Sequence, residues 1–355
     1  MQRYIGIDVH AASSTLVVVS PTGKRIETRV VETTGKTLFD AVSAVPGERH
    51  ICLEEGAQSS WLYELLAPLA KEVAVLAAEK KKRGTKNDAV DAFELAERMR
   101  KREFGRRVYK NPKRFAELRE MCRVYTMVTQ DVVRVQARIK SMYRGSGIRT
   151  RGTSVYKEEN RNDWLKRLPA KVRLPTKFLY EQYDALTELR GEAQKELLRQ
   201  ARKHRIAAIL ETAPGFGPIR VAELLSIVVT PHRFPTRQKF RAYCGLGITT
   251  WSSSDWEQTA DGSWIKKKRK KATRGLNRNF NPMLKDIMKG AATTVVAKLP
   301  NDPHYHDYER LLANGTNPDL AKLTIARKLA ELVLAMWKKE AKYNPASRRV
   351  QTTRA

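Results

Sequence analysis

The chain has 355 residues, 41% of them hydrophobic, enough to bury a sizeable core and to exclude wholesale disorder. Lys and Arg number 68 against 38 Asp and Glu, and the formal balance of +30 demands a polyanion, nucleic acid first and an acidic membrane surface second. There is no apolar run of the ~20 residues a spanning helix needs, no secretion signal in MQRYIGIDVH, and no CxxC pair among Cys52, Cys122 and Cys244, so the chain reads as a cytosolic nucleic-acid handler without structural zinc or disulfides.

Residues 4–9 and 15–19 are short β-branched runs, Pro21-Thr22-Gly23-Lys24 is a turn, and residues 25–32 alternate like a returning strand. Together they predict a three-stranded meander. A helix over 37–45, a strand over 50–54, a helix over 60–70, a strand over 73–76 and a helix over 88–100 follow. Strands that first pair antiparallel and then alternate with helices predict a mixed sheet with helices on its faces.

From Phe115 the apolar positions Leu118, Cys122, Tyr125, Val128, Val132, Val135, Ile139 and Met142 step by threes and fours. That narrow seam predicts one amphipathic helix of ~30 residues and ~45 Å that pairs with another helix. Gly145-Ser146-Gly147 ends it, residues 144–173 read as basic and irregular, and a second helix is expected over 176–204. Such a hairpin serves either as a clamp for nucleic acid or a partner subunit, or as a simple antiparallel bundle holding two domains apart. In the helical last third, Pro214-Gly215-Phe216-Gly217-Pro218 before a helix over 219–228 resembles the turn of a helix-hairpin-helix module, whose backbone N–H groups grip a DNA phosphate. Residues 266–271 are an almost unbroken basic run, and helices over 280–298 and 319–342 close the chain before a frayed tail. The expected domains are 1–108, 109–205, 206–345 and a tail over 346–355.

Four acidic residues carry the chemistry. Asp8 sits in an otherwise apolar strand, where an ionised carboxylate must be paired or bound to metal. Glu54 repeats the situation at the end of 50–53, and Asp88 and Asp91 share one face of a helix start. Taken singly they read as a turn residue and as helix-capping groups, a role that suits Asp88 well. Taken together, two strand carboxylates and a D-x-x-D helix are the parts of a hard-metal cage. Carboxylates hold Mg²⁺ at ~2.0–2.1 Å, and two such ions ~3.5–4 Å apart stabilise the attacking and leaving oxygens of phosphoryl transfer.

Asp8 in GIDVH, Glu54 in ICLEEG, and Asp88 and Asp91 in KNDAVDAFELA resemble the D-E-D-D set of RuvC-like resolvase domains of the RNase H fold. Their order and context are similar to those of the insertion sequence one-ten family of transposases, the bridge-RNA-guided recombinases. PGFGPIRVAELL, FPTRQKFRAYCGLGITTWSSSDW and TRGLNRNFNPMLKDIMKGAA resemble that family's C-terminal transposase domain, so the resemblance spans nearly the whole chain. It implies a RuvC-like mixed-sheet domain, a long helical coiled-coil hairpin and a mainly helical C-terminal domain. It further implies strand cutting and rejoining in a prokaryotic, nucleoid-associated cytosolic setting. Asp8, Glu54, Asp88 and Asp91 would hold Mg²⁺, for which Mn²⁺ substitutes. The implied partners are donor and target DNA, a bridge RNA, and further copies of the chain in a dimer to tetramer. The family's nucleophile is a serine shortly after a YCGL-type segment; counting from Gly245-Leu246 assigns Ser253, with Ser252 and Ser254 as fallbacks. Composition alone reads these three serines as a flexible turn, and a serine hydroxyl needs a nearby base or metal to attack.

Several positions depart from the family pattern. Ala11-Ala12 stand where a basic residue often follows the first Asp, Glu55-Gly56-Ala57 follow Glu54 in place of E-x-T-G, and Ile248 and Ser254 replace the usual Pro and Gly. Glu54 and Glu55 therefore compete, and strand alternation favours Glu54, which shares a face with Cys52 opposite Leu53. Lys80-Lys81-Lys82-Arg83 precede the D-x-x-D helix and can set a phosphate beside the metal or simply form a solvated face. Trp251, Trp256 and Trp264 flank the serines and can stack on bases, although one or two are expected in the core. Three rival readings are weighed: a plain RuvC-like nuclease that activates water, an actin-like ATPase, which lacks here the later Gly-rich phosphate loops, and a non-catalytic scaffold, in which four carboxylates near phosphate gain nothing without metal.

Overall fold

The structure, a computed structural model, describes residues 1–78, 87–111, 113–251, 256–266 and 272–348. Two compact units divide the chain, Met1–Arg114 and Phe115–Ala355. The serines 252–254, the basic runs 80–83 and 267–271 and the end of the tail lie outside the described residues.

The first unit runs β1 (Gln2–Val9), β2 (Ser13–Val19), β3 (Arg25–Glu32), α1 (Gly35–Ser43), β4 (Glu48–Glu54), α2 (Ser59–Leu66), β5 (Glu72–Leu76), α3 (Asp88–Lys101) and β6 (Arg107–Val108). Among the described residues these strands form one six-stranded sheet in the order β3-β2-β1-β4-β5-β6. β1, β2 and β3 form the antiparallel meander, β4 and β5 are parallel to β1 and to each other, and β6 is an antiparallel edge. This is the mixed sheet of an RNase H-like domain.

Period-two alternation sorts the strand side chains onto two faces. Ile5, Ile7, Leu16, Val18, Ile51, Leu53, Val73 and Val75 pack with Leu38 and Val42 of α1 and Leu62 and Leu66 of α2. The opposite face carries Val17, Val19, Cys52, Ala74 and Leu76, and α3 covers it with Ala92, Leu95, Ala96 and Met99. Each buried Val, Leu, Ile or Met side chain among these contributes roughly 1.5–3 kcal/mol. The small residues of α3 permit an unusually close approach: a Cβ on Gly6 would lie 1.8 Å from the Ala92 carbonyl oxygen and 2.5 Å from the Ala96 nitrogen. The helix therefore rests directly on the backbone of β1.

The second unit contains α4 (Ala116–Gly145), α5 (Glu158–Lys166), α6 (Ala170–Arg202), α7 (Arg205–Leu210), α8 (Pro218–Val228), α9 (Arg237–Tyr243), β7 (Ile248–Trp251), β8 (Trp256–Gln258), β9 (Trp264–Lys266), β10 (Ala272–Leu276), α10 (Pro282–Lys298), α11 (Pro303–Ala313) and α12 (Pro318–Lys339). α4 buries Leu118, Cys122, Val128, Val132, Val135 and Ile139 of the expected seam, and Tyr143 in place of Met142. α4 and α6 pack against each other.

Residues 144–173 are irregular only in part: turns and a short 3-10 turn over 146–157 lead into helical structure. α5 and the first turn of α6 close the hairpin tip over Tyr143, Val155, Leu165, Leu168 and Tyr180. The Tyr143 and Tyr180 hydroxyls lie 3.0 Å apart, and Tyr180 donates to the Val155 carbonyl at 2.8 Å. At the other end of the hairpin, Phe115, Leu118, Cys122, Leu197 and Ala201 share one core with Val221 of α8, Met288 of α10 and Ile325 and Leu329 of α12. Among the described residues, no helix is long and apolar enough to cross a membrane.

Candidate functional site

The β1–β4 ladder ends with Ile7 opposite Leu53, so the next step along both strands brings Asp8 beside Glu54. Asp8 follows Gly6 and Glu54 follows Cys52 on the face that α3 covers. α3 starts at this end of β1. Its N-cap is Asn87, whose Oδ1 accepts from the N–H groups of Ala89 at 3.0 Å and Val90 at 3.4 Å. The capping role expected of Asp88 thus belongs to its neighbour, which leaves the Asp88 carboxylate turned toward His10.

His10 joins the two acidic residues. Its Nε2 lies 3.4 Å from Asp8 Oδ2 and 3.3 Å from Asp88 Oδ1. One ligand atom from each of Asp8, His10 and Asp88 lies within 4.8 Å of the other two. The backbone of His10 is fixed by its own N–H to the Ser13 carbonyl at 3.0 Å and by the Thr33 hydroxyl donating to its carbonyl at 2.9 Å. Sequence reasoning did not single His10 out, although its place two residues after Asp8 was the available signal. Glu54, on the neighbouring strand, and Asp91, one helical turn past Asp88, stand outside this group of ligand atoms among the described residues. The four carboxylates are thus neighbours along the backbone, and two of them converge at their side chains.

Glu55 has a different partner. Lys110 Nζ lies 2.9 Å from Glu55 Oε1 and also donates to the hydroxyls of Ser59 at 3.0 Å and Ser60 at 3.3 Å. Only 11% of the Lys110 side chain is exposed, so this contact holds Glu55 outside the strand, whereas Glu54 continues the β4 face.

The donor set suits a divalent cation. The Asp8 side chain is 14% exposed, and its buried Oδ2 makes no hydrogen bond among the described residues, with His10 Nε2 facing it at 3.4 Å. A buried carboxylate oxygen is costly unless a cation faces it. Carboxylates suit Mg²⁺ and Mn²⁺, and an imidazole nitrogen moves the preference toward transition metals.

In the second unit, the segment leading to the serines is tightly held. Gly245 has φ +68°, and a Cβ there would meet the Phe280 ring at 2.6 Å. Leu246 is fully buried, and its carbonyl accepts from Arg327 Nε at 2.9 Å. Burial, with Arg241 nearby, pushes the Arg327 pKa down. β7 then carries the chain to Trp251, and Ser252, Ser253 and Ser254 follow outside the described residues. The cysteines make poor rival nucleophiles: all three are buried, and desolvation pushes Cys52 up to about 12 and raises Cys122 and Cys244 as well. Trp256 and Trp264 are exposed, so neither takes the core place expected for one or two of the three tryptophans.

Comparison with known families gives two matches. Residues 5–146 match a DEDD model of the IS110 kind described as a transposase, and residues 207–309 match one described as transposase, IS116/IS110/IS902 family. Asp8, Glu54, Asp88 and Asp91 fall within the first match and Ser253 within the second. No curated protein matches the chain.

Proposed function

Because the chain belongs to the IS116/IS110/IS902 family of transposases, we propose that it cuts and rejoins DNA through a phosphoserine linkage on Ser253, with a divalent metal at the Asp8 site. The observation that carries the metal reading is the meeting of Asp8, His10 and Asp88 at the point where α3 lands on β1. Glu54 and Asp91 complete the set from the adjacent strand and the next helical turn. The Lys110 contact to Glu55 supports Glu54 over its neighbour as the acidic member from β4.

Bound at these residues, Mg²⁺ or Mn²⁺ would supply Lewis-acid stabilisation of the phosphate charge. Asp8 and Asp88, with the His10 imidazole, would hold that cation in place through their oxygen and nitrogen donors. Ser253 Oγ attacks phosphorus, the Oγ–P bond forms as one P–O bond of the strand breaks, and the serine proton ends on the leaving oxygen, which departs as a hydroxyl end. A hydroxyl end of the exchanged strand then attacks the same phosphorus, restoring the serine and resealing the backbone. The energy of the broken phosphodiester stays in the linkage, so no nucleotide cofactor is needed. The partners in this reading are donor and target DNA, a bridge RNA that selects them by pairing, and further copies of the chain. The net charge of +30 supports a polyanionic partner.

Asp8→Asn and Asp91→Asn should each abolish strand exchange and weaken Mn²⁺ binding while leaving the circular dichroism spectrum unchanged. Undiminished recombination by either variant would remove the metal site from the account.

A further inference from the structure

Two of the largest apolar side chains in the molecule remain outside its cores. Trp256 and Trp264 are 55% and 63% exposed, although indoles contribute heavily to burial wherever they pack. They occupy the two strands of the β8–β9 hairpin, whose register pairs Trp256 with Lys266 and Gln258 with Trp264. Residues directly opposite share a face, as do residues two apart on one strand, so both indoles stand on one face, diagonally across the ladder. Diagonal neighbours lie ~7–8 Å apart, about twice the ~3.4 Å step between stacked bases. That spacing leaves room for one planar base between two rings.

The turn that joins the strands is fixed in advance. Asp261 Oδ1 accepts from the Ser263 N–H at 3.2 Å, from the Ser263 hydroxyl at 2.9 Å and from the Thr259 hydroxyl. These hydrogen bonds hold the Asp261 carboxyl down at about 2, so they persist at neutral pH. Gln258 Nε2 donates to the Gly262 carbonyl at 3.2 Å, and Gly262 takes the φ of +82° that the turn requires. Ordering entropy that a loose loop would lose on binding is therefore already spent.

The sequence beside the rings identifies the occupant. An apolar subunit contact is depleted in lysine, yet β9 ends at Lys266 and the chain continues Lys267-Lys268-Arg269-Lys270-Lys271. Cations for the backbone next to exposed rings for the bases are the composition of a single-strand binding site. A closed duplex buries its base faces in its own stack and offers the indoles nothing. We infer that the β8–β9 hairpin is a stacking platform for an unpaired base of a DNA strand, with Trp256 and Trp264 taking the base. In sequence the platform begins three residues after Ser253, which suits a base exposed where a strand is opened for exchange. The inference rests on the DNA handling of the transposase family and not on the chemistry assigned to Ser253.

The test uses the full chain and two labelled probes, a gapped DNA duplex and the same duplex sealed, read by fluorescence anisotropy. Trp256→Ala and Trp264→Ala should each bind the gapped probe about five- to a hundred-fold more weakly, the loss expected for one stacked base. The sealed probe should change less than about twofold, and the salt dependence should keep its slope because no charge is removed. Trp256→Phe, which keeps a flat ring, should recover most of the affinity. Equal losses on both probes, or no loss on either, would each overturn the assignment. A covalent DNA adduct still formed by Trp256→Ala would leave the serine chemistry standing whatever becomes of the platform.

Discussion

Gly6→Ala probes the contact on which the candidate metal site is built. The added Cβ would stand 1.8 Å from the Ala92 carbonyl oxygen, 2.5 Å from the Ala96 nitrogen and 3.0 Å from the Ala92 carbonyl carbon, all of them backbone atoms that no side-chain rotation can move. Ordinary contact begins near 3.4 Å, so α3 must retreat from β1 by roughly 1.6 Å. Overpacking of this kind costs about 1–3 kcal/mol and sometimes more, and contact with rigid backbone puts this case at the upper end. For a unit of this size, ~3 kcal/mol lowers the melting temperature by roughly 10 °C. The same retreat carries Asp88 away from Asp8 and His10, so Mn²⁺ binding measured by calorimetry should weaken together with the melting temperature. A Gly6→Ala protein that melts with the wild type and binds metal equally well would refute the claim that this close approach positions the site.

Asn87→Ala should cost the first unit about 1 kcal/mol through the lost cap, read as a shift of the urea midpoint. Asp88→Ala should move that midpoint by no more than about 0.5 kcal/mol; the reverse order would return the cap to Asp88. In the second unit, burial opposes ionisation of Asp302, but hydrogen bonds from the His304 ring and backbone and from the Tyr343 hydroxyl outweigh it and hold its carboxyl below the ordinary value. A carboxyl depressed in the folded state adds stability above its unfolded pKa of ~3.9 and loses it as pH falls through the folded one. Asp302→Asn should therefore flatten the fall of melting temperature below about pH 4, and parallel curves for the two proteins would contradict this account.

The sheet was legible because β1 and β4 are interior strands, buried on both faces, that read as short apolar runs. Gly6 and Asp8 on one, and Cys52 and Glu54 on the other, share a face by period alone, and the seam of α4 was equally plain from Leu118 to Ile139. Three of the helices that escaped notice lack such a signal. α7 and α9 span six and seven residues, too few for a period to emerge. α5 is polar, with Leu165 its one buried residue. Pro175 reads as a helix breaker, yet it lies six residues into α6 and is accommodated there. His10 escaped for another reason: it lies one residue past the strand, where periodicity stops and backbone anchoring by Ser13 and Thr33 decides direction. Likewise, the sequence pattern brings four carboxylates to one end of the sheet, but side-chain rotamers decide which of them meet.

The central claim is that this transposase joins a DNA strand to its own serine. Labelled DNA substrate incubated with the protein and Mg²⁺, denatured, and resolved on a gel tests it directly, with peptide mapping of any labelled protein band. The account predicts a covalent adduct that maps to Ser253 and disappears in Ser253→Ala while nucleic-acid binding persists. Free 3′-hydroxyl and 5′-phosphate ends with no protein attached would contradict it.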